Sequence, residues 1–325
     1  MKLFEIVRSG VAAGVLGLSL GAVQASAYSQ FVVFGDSLSD AGNVAVARGT
    51  DAGQVIGGNG YFASLPYAGG TYSTGPVWSQ RYAAGLGLSA APALLGGSNY
   101  AFGGAMTGDE TPGGSPSLRT QMQMYLGGHG LQADPDALYV LSAGGGNALR
   151  GLLAVLGGAD PAQTLQTQAA HFADDLGYIV DGLQAAGARH IVVWNAPDFG
   201  LTPLAGSFGP GGAGLATALS MAMNQALDQR LSGSSVARFD VFSALHQVAA
   251  NAQGYGLSNV ADACGALAGC DPEHALFWDG IHPTARGHEL LAEFMRERAV
   301  PEPASLGCAL LALALLGWSR RRRVS

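Results

Sequence analysis

Lysine is almost absent from this chain: Lys2 is the only one in 325 residues. Residues 28–300 carry ten arginines, no lysine and 21 acidic residues, a formal charge of −11. So acidic a body argues against a nucleic-acid partner, because that binding rests on neutralising phosphates. Thiols are scarce too, with three cysteines in all. Cys308 falls near the C-terminus, and Cys264 and Cys270 stand six apart in "CGALAGC". Two thiols need further ligands to hold zinc, so a metal site is the weaker reading, and in an exported chain the pair reads as a disulfide. Apolar runs are short: Gly10–Val23 and the 13 residues Leu306–Trp318 both fall below the ~20 that a stable membrane span needs. No internal repeat and no second domain is visible.

Glycine and apolar residues are plentiful. The chain is 48% hydrophobic with 50 glycines, enough for one sizeable core with many tight loops. Its two ends read as address labels. Lys2 and Arg8 precede an apolar run that ends in "ASA" (25–27), the form of a cleaved signal peptide over 1–27; an uncleaved anchor is the alternative. At the other end, Pro301-Glu302-Pro303, the apolar segment 306–318 and Arg320–Arg323 follow one another. The arginines would keep the tail's end in the cytoplasm and leave the main domain outside.

Between the ends, "QFVVFG" (30–35), "ALYVLSAG" (137–144), "HIVVWNAP" (190–197) and "ARFDVFS" (237–243) read as buried strands, with "SNYAFGG" (98–104) a weaker fifth. Ala162–Ala186, Leu215–Leu231 and Pro283–Ala299 have helical length and spacing. This alternation predicts an α/β fold, a parallel sheet with helices on both faces. Residues 44–97 and 103–135 read as long glycine-rich connections, which in a compact domain are often functional.

Ligands of open parallel sheets bind beyond the carboxyl ends of the strands. "FVVFGDSLSDAGN" (31–43) ends a strand on Gly35 and puts Ser37 just past it, where it would head the next helix with its hydroxyl toward the cleft. A serine becomes a nucleophile only when a base takes its proton. "FWDGIHPTARGH" (277–288) offers one: Asp279 and His282, three apart in a Gly/Pro turn, can orient an imidazole through one nitrogen and leave the other for the serine. His288 reads as a packing or surface residue. Oxyanion donors could come from "NYAFGGA" (99–105), with Gly103 and Gly104, and from "GGGN" (144–147), with the Asn147 amide; the latter stretch matches no phosphate-binding pattern. Asp36, Asp40 and Asn43 read as turn supports. Tyr61, Tyr72, Trp78 and Phe102 could line a pocket or pack the core.

These four stretches, in this order and spacing, resemble the GDSL or SGNH hydrolase family over about residues 29–298, nearest its secreted bacterial lipase-like branch. "YSTGPVWSQRYA" (72–83) and "NAPDFGLTP" (195–203) are similar to family sequence as well. The resemblance implies a three-layer α/β/α sandwich with a flavodoxin-like sheet of about five strands, and no metal or organic cofactor. It implies Ser37 as nucleophile and first oxyanion donor, Gly103 as the second with Gly104 its neighbouring alternative, Asn147 as the third, His282 as base and Asp279 as its orienting acid. Many members have aspartate after the block asparagine; here Ala148 stands there. The substrate would be an acyl ester of a lipid, an aryl alcohol or an acetylated sugar. A non-catalytic glycan-binding surface protein is the alternative. Residues 300–325 resemble the PEP-CTERM sorting signal of Gram-negative bacteria. That implies signal peptidase and an exosortase-type enzyme as processing partners, transient membrane retention through the tail, and a final place at the cell surface or outside. A plain tail anchor is the alternative.

Overall fold

The computed structural model describes residues 27–108, 110 and 113–298. The leader, apart from Ala27, and the sorting tail lie outside the described residues. Among the described residues no helix is long and apolar enough to cross a membrane.

Four parallel strands, β1 (Phe31–Gly35), β2 (Leu138–Ser142), β3 (His190–Trp194) and β4 (Ala237–Phe239), lie in the order β1-β2-β3-β4. Val33, Val140 and Val192 stand abreast across the first three. β1, β2 and β3 are apolar on both faces because both faces are covered, whereas β4 carries the partly exposed Arg238 and is shorter than expected, since the Asp240 carboxylate accepts the Ser243 N–H and a helix begins at Val241. On one face Val32, Phe34, Tyr139, Leu141, Ile191 and Val193 pack against α3 (Leu118–Gly128), α4 (Gly145–Leu156), α5 (Pro161–Ala185) and α7 (Gly209–Arg230). On the other, Phe31, Val33, Leu138, Val140, Val192 and Trp194 pack against α2 (Trp78–Gly85), α8 (Val241–Ala250) and α9 (Ala285–Arg298). Two short helices, α1 (Asn43–Arg48) and α6 (Pro203–Ser207), sit at the cleft end. The result is the expected three-layer sandwich. The α5 start follows its sequence: the Asp160 carboxylate accepts the Gln163 N–H ahead of Pro161, which fills two needs of a helix's first turn.

The expected fifth strand is only partly formed. Residues 98–102 run beside β1, with Val33 N–H donating to Ser98 O, Tyr100 N–H to Val33 O and Phe102 N–H to Gly35 O, but they make only isolated bridges. Side chains break the ladder: Asn99 Oδ1 takes the Ala101 N–H, and Asn43 Nδ2 donates to the outward carbonyls of Asn99 and Ala101. The same bonds cover an edge that would otherwise be free to pair. The chain thus leaves β1 toward 98–102 and leaves β2 toward β3, so the carboxyl ends of β1 and β2 form the switch point where such sheets hold ligands.

The connections 44–97 and 103–135 hold more order than their composition suggests, since α1, α2 and α3 lie in or across them. In α3, Gln121 is fully buried; its Nε2 donates to Gly35 O and its Oε1 accepts the Gly35 N–H, which clamps the end of β1.

Candidate active site

Ser37 lies in the turn that follows β1. The turn needs Gly35, because a Cβ there would lie 2.6 Å from the Ser142 carbonyl oxygen and 2.9 Å from the Ser39 side chain. Ser37 does not head a helix, as the sequence suggested. Asp40 delays the helix instead: its Oδ1 accepts the N–H groups of Gly42 and Asn43, its Oδ2 accepts that of Val44, and α1 starts only at Asn43. Asp36 Oδ1 accepts the Leu38 N–H at 3.0 Å. Asp36 and Asp40 are turn supports, as read, whereas the Asn43 side chain ties the turn to Leu94, Asn99 and Ala101 instead. Burial pushes the Asp36 carboxyl up to about 6, against the pull of the Leu38 N–H and His282.

Far along the chain, the turn 279–282 brings its histidine to this serine. Ser37 Oγ and His282 Nε2 are 2.9 Å apart, and His282 Nδ1 lies 2.8 Å from Asp279 Oδ2. The N–H groups of Ile281 and His282 donate to Asp279 Oδ1. Burial works against the Asp279 charge, but His282, these N–H groups and the Tyr67 hydroxyl outweigh it, and its pKa falls below the usual carboxylate value. An ionised carboxylate can only accept, so Nδ1 carries the ring hydrogen and the Nε2 lone pair faces the serine hydroxyl. Asp279 is 0% and His282 2% exposed, so this line of bonds is shielded from competing water. The turn is gripped from several sides: Gly280 N–H donates to Tyr61 O, Leu204 N–H to Gly280 O, Cys264 N–H to Phe277 O and Gly265 N–H to Trp278 O. Cys264 and Cys270 are disulfide-bonded, so the closed loop braces the two residues that precede Asp279.

The two candidate glycines are held differently. The Gly103 N–H is spent on Asp40 Oδ2 at 2.9 Å, and its carbonyl accepts the Ser115 hydroxyl. Gly103 is bare for another reason: a Cβ there would lie 2.1 Å from the Tyr72 ring, which is tilted over His282 with centroids 5.1 Å apart. Gly104, in the left-handed region at φ +77°, lines the cleft, and its N–H has no hydrogen-bond partner among the described residues. Asn147 sits in the first turn of α4, 3% exposed, and its Nδ2 donates to Thr107 Oγ1 at 3.1 Å.

Ser37 and His282 line a cavity of about 430 Å³. Its walls include Leu38, Phe62, Met106, Leu149, Phe199 and Ile281, and are largely apolar. Tyr72 lines it too, whereas Trp78 is fully buried in the core, with its indole N–H on Ser39 Oγ. Phe102 packs with Tyr72 and Val44, and the Tyr61 hydroxyl donates to Gln54.

The family model for GDSL-like lipase/acylhydrolase proteins matches residues 31–295, from β1 through most of α9. The chain belongs to the GDSL lipase/acylhydrolase family. The PEP-CTERM protein-sorting motif matches residues 299–323. Esterase EstA of Pseudomonas aeruginosa is 32% identical over 318 residues, covering 83% of this chain and 46% of that protein. An uncharacterised Pseudomonas putida protein is 31% identical over 337 residues, covering 90% of this chain and 52% of its own length. The chain thus spans about half the length of these curated relatives. Among solved structures, an extracellular lipase of Streptomyces rimosus is 16% identical over 83% of this chain and 99% of its own, with a TM-score of 0.45.

Where many GDSL members place aspartate after the block asparagine, Ala148 is fully buried here against the core. Another chain of bonds holds Asn147. Thr107, which accepts from it, donates to Asp175 Oδ2 at 2.7 Å, and Asp175 pairs with Arg119 Nε at 2.7 Å. Sequence reasoning missed Thr107, Gln121, Phe62 and Tyr67. Each acts through partners far away in the chain and carries no local pattern. His288, read as a packing or surface residue, packs: it is 1% exposed and accepts the Trp78 N–H on Nδ1, joining α9 to the first turn of α2. Burial, with the charges of His282 and Arg81, lowers its pKa from 6.5 to about 3.

Proposed function

We propose that this GDSL-family chain is an exported serine hydrolase of acyl esters. The observation that carries the reading is the continuous line Ser37–His282–Asp279 at the mouth of an apolar cavity. As His282 Nε2 takes its proton, Ser37 Oγ attacks the ester carbonyl carbon. The carbonyl oxygen becomes an oxyanion held by the N–H groups of Ser37 and Gly104 and by Asn147 Nδ2. Collapse of this intermediate expels the alcohol, which takes the proton from Nε2 and leaves Ser37 acylated. Water then gives its proton to Nε2 and attacks the acyl carbon, and release of the acid restores the serine. Asp279 stabilises the imidazolium that forms twice in the cycle.

Cavity size and lining favour an acyl chain. An acetyl group would leave most of about 430 Å³ unfilled, while an alkyl chain would cover Leu38, Phe62, Met106 and Leu149 and be drawn out of water by them. The sorting motif at 299–323 supports export across the inner membrane of a Gram-negative cell, retention by the tail and release by an exosortase-type enzyme, after signal-peptide removal near Ala27. Intact mass of the exported protein should show both ends missing; a full-length species would remove the processing reading.

Hydrolysis of p-nitrophenyl esters from acetate to palmitate, by residues 28–300 and by Ser37→Ala, tests the chemistry. Serine-dependent turnover that rises beyond acetate supports the acyl hydrolase. Turnover confined to acetate favours an acetylated sugar as substrate. No serine-dependent turnover on any ester would leave a glycan-binding protein on a hydrolase scaffold.

A further inference from the structure

Tyr67 holds a place in the active site that the serine, histidine and aspartate do not account for. Its hydroxyl donates to Asp279 Oδ2 at 2.7 Å, the same oxygen that faces His282 Nδ1 at 2.8 Å. The other three donors to this carboxylate belong to its own turn, two N–H groups on Oδ1 and the imidazole on Oδ2. Tyr67 is the one that comes from elsewhere, 212 positions away.

The geometry points to Tyr67 as a positioning residue that sets the orientation and effective charge of Asp279, and through it the proton affinity of His282; this rests on the hydrolase reading above. The phenol is built to donate. Burial, the Asp279 charge and the bond itself all push its own pKa upward, so it keeps its proton wherever the enzyme works. Its direction is fixed on three sides. The Tyr67 N–H donates to Thr71 O, the Gly70 N–H donates to Tyr67 O, and the ring stands edge-on to Trp278 with centroids 6.2 Å apart at 73°. The loop that carries it, residues 49–77, also lends Phe62, Ala63 and Ser64 to the cleft. One segment therefore shapes the acyl cavity and grips the orienting acid.

The effect has a definite sign. A donor on Oδ2 takes up part of the negative charge that would otherwise act on the imidazolium. His282 is faced by Ser37 and Asp36 from the turn after β1, by Tyr72 from the loop before α2, by Asp279 within its own turn and by His288 from α9. Tyr67→Phe leaves all of these in place and removes only the hydroxyl. Asp279 then acts more strongly on His282, and the imidazolium keeps its proton to higher pH.

The test is the pH profile of kcat/KM for wild type, Tyr67→Phe and Tyr255→Phe on the best p-nitrophenyl ester. In Tyr67→Phe the acid limb should move up by roughly half to one pH unit and kcat should fall roughly threefold to tenfold, with KM unchanged because the hydroxyl does not line the cleft. Tyr255→Phe removes a hydroxyl outside the cleft, where it accepts from Gln247 Nε2, so its profile should overlay wild type. A fall in rate without movement of the limb, or no change at all, would overturn the proposal and leave Tyr67 as packing. A second readout needs no turnover: the low-field NMR signal of the His282 Nδ1–H should titrate at higher pH in Tyr67→Phe than in wild type. Superposable titrations would sink the proposal even in an active enzyme. Absent Ser37-dependent turnover, the hydrolase reading fails by itself and the NMR titration still decides the role of Tyr67.

Discussion

The two halves of the cleft are built on different principles. The half that carries the proposed nucleophile hangs on the ends of strands: Ser37 is two residues past β1, Gly35 is clamped by Gln121, and Asn147 opens the helix after β2. The half that carries the proposed base has no strand of the sheet beneath it. The turn 279–282 is held by backbone bonds to the loop at Tyr61, to α6 at Leu204 and to the disulfide-closed loop, with Tyr67 on its carboxylate. A sheet end is positioned by the core as a whole, whereas a gripped turn depends on each grip. The base half should therefore be the one where loss of a single contact costs stability as well as rate.

Two substitutions sharpen this contrast most. Ser37→Ala and Asp279→Asn should each lower kcat on the chosen ester by roughly 10⁴-fold or more. Thermal melts should separate them. Ser37→Ala should keep the wild-type midpoint within a degree or two, while Asp279→Asn, which disturbs a buried carboxylate with four donors, should melt several degrees lower. Equal melting points would break the comparison.

Within the nucleophile half, Asn147→Ala should cost roughly 10²-fold in kcat. Thr107→Val should cost roughly tenfold by freeing the amide, with KM little changed; kinetics equal to wild type would show that Asn147 needs no holding. In the base half, replacing Cys264 and Cys270 with serine should lower stability by about 2 kcal/mol, as expected for so short a loop, and should lower kcat as well because the loop braces Phe277 and Trp278. Denaturant melts with matched kinetics check both.

The last contrast is a pH slope. His288 binds its proton at 6.5 when unfolded and near 3 when folded, so its contribution is full above about pH 6.5 and is lost as pH falls from there toward 3. Asp36, raised from 3.8 to about 6, works the other way, and its burial penalty is relieved as pH falls through 6. The midpoint of His288→Asn should fall less than that of wild type between pH 7 and pH 5, while Asp36 contributes equally to both. Parallel curves would show that the Trp78–His288 bond is not what links stability to acid.

The parts of this molecule that declare themselves locally were legible. β1, β2 and β3 stand out as short apolar runs, covered on both faces, whereas of the stretch 237–243 only Ala237–Phe239 is strand and Val241–Ser243 begin α8. Ser37 follows a strand through a glycine, and Asp279 and His282 share one tight turn, so each carries its chemistry in a few adjacent residues. The helices α3 and α4 were hidden because glycine and glutamine interrupt their sequences, and α1 because its six residues are too few to show a period. Gln121 and Tyr67 were hidden for a related reason: their partners are 86 and 212 positions away.

The glycine pair marks the boundary between the two kinds of knowledge. By itself the sequence determined that a bare backbone would stand beside Ser37, since two adjacent glycines end the segment that runs along β1. It could not say which N–H would face the cleft, because Gly103 and Gly104 are chemically identical. That was decided by what surrounds them. Asp40 claims the Gly103 N–H and the Tyr72 ring fills the place of its missing side chain, while the left-handed backbone of Gly104 is left to line the cleft with its N–H unspent. An N–H takes its role from its direction and its neighbours, and only the folded chain supplies both.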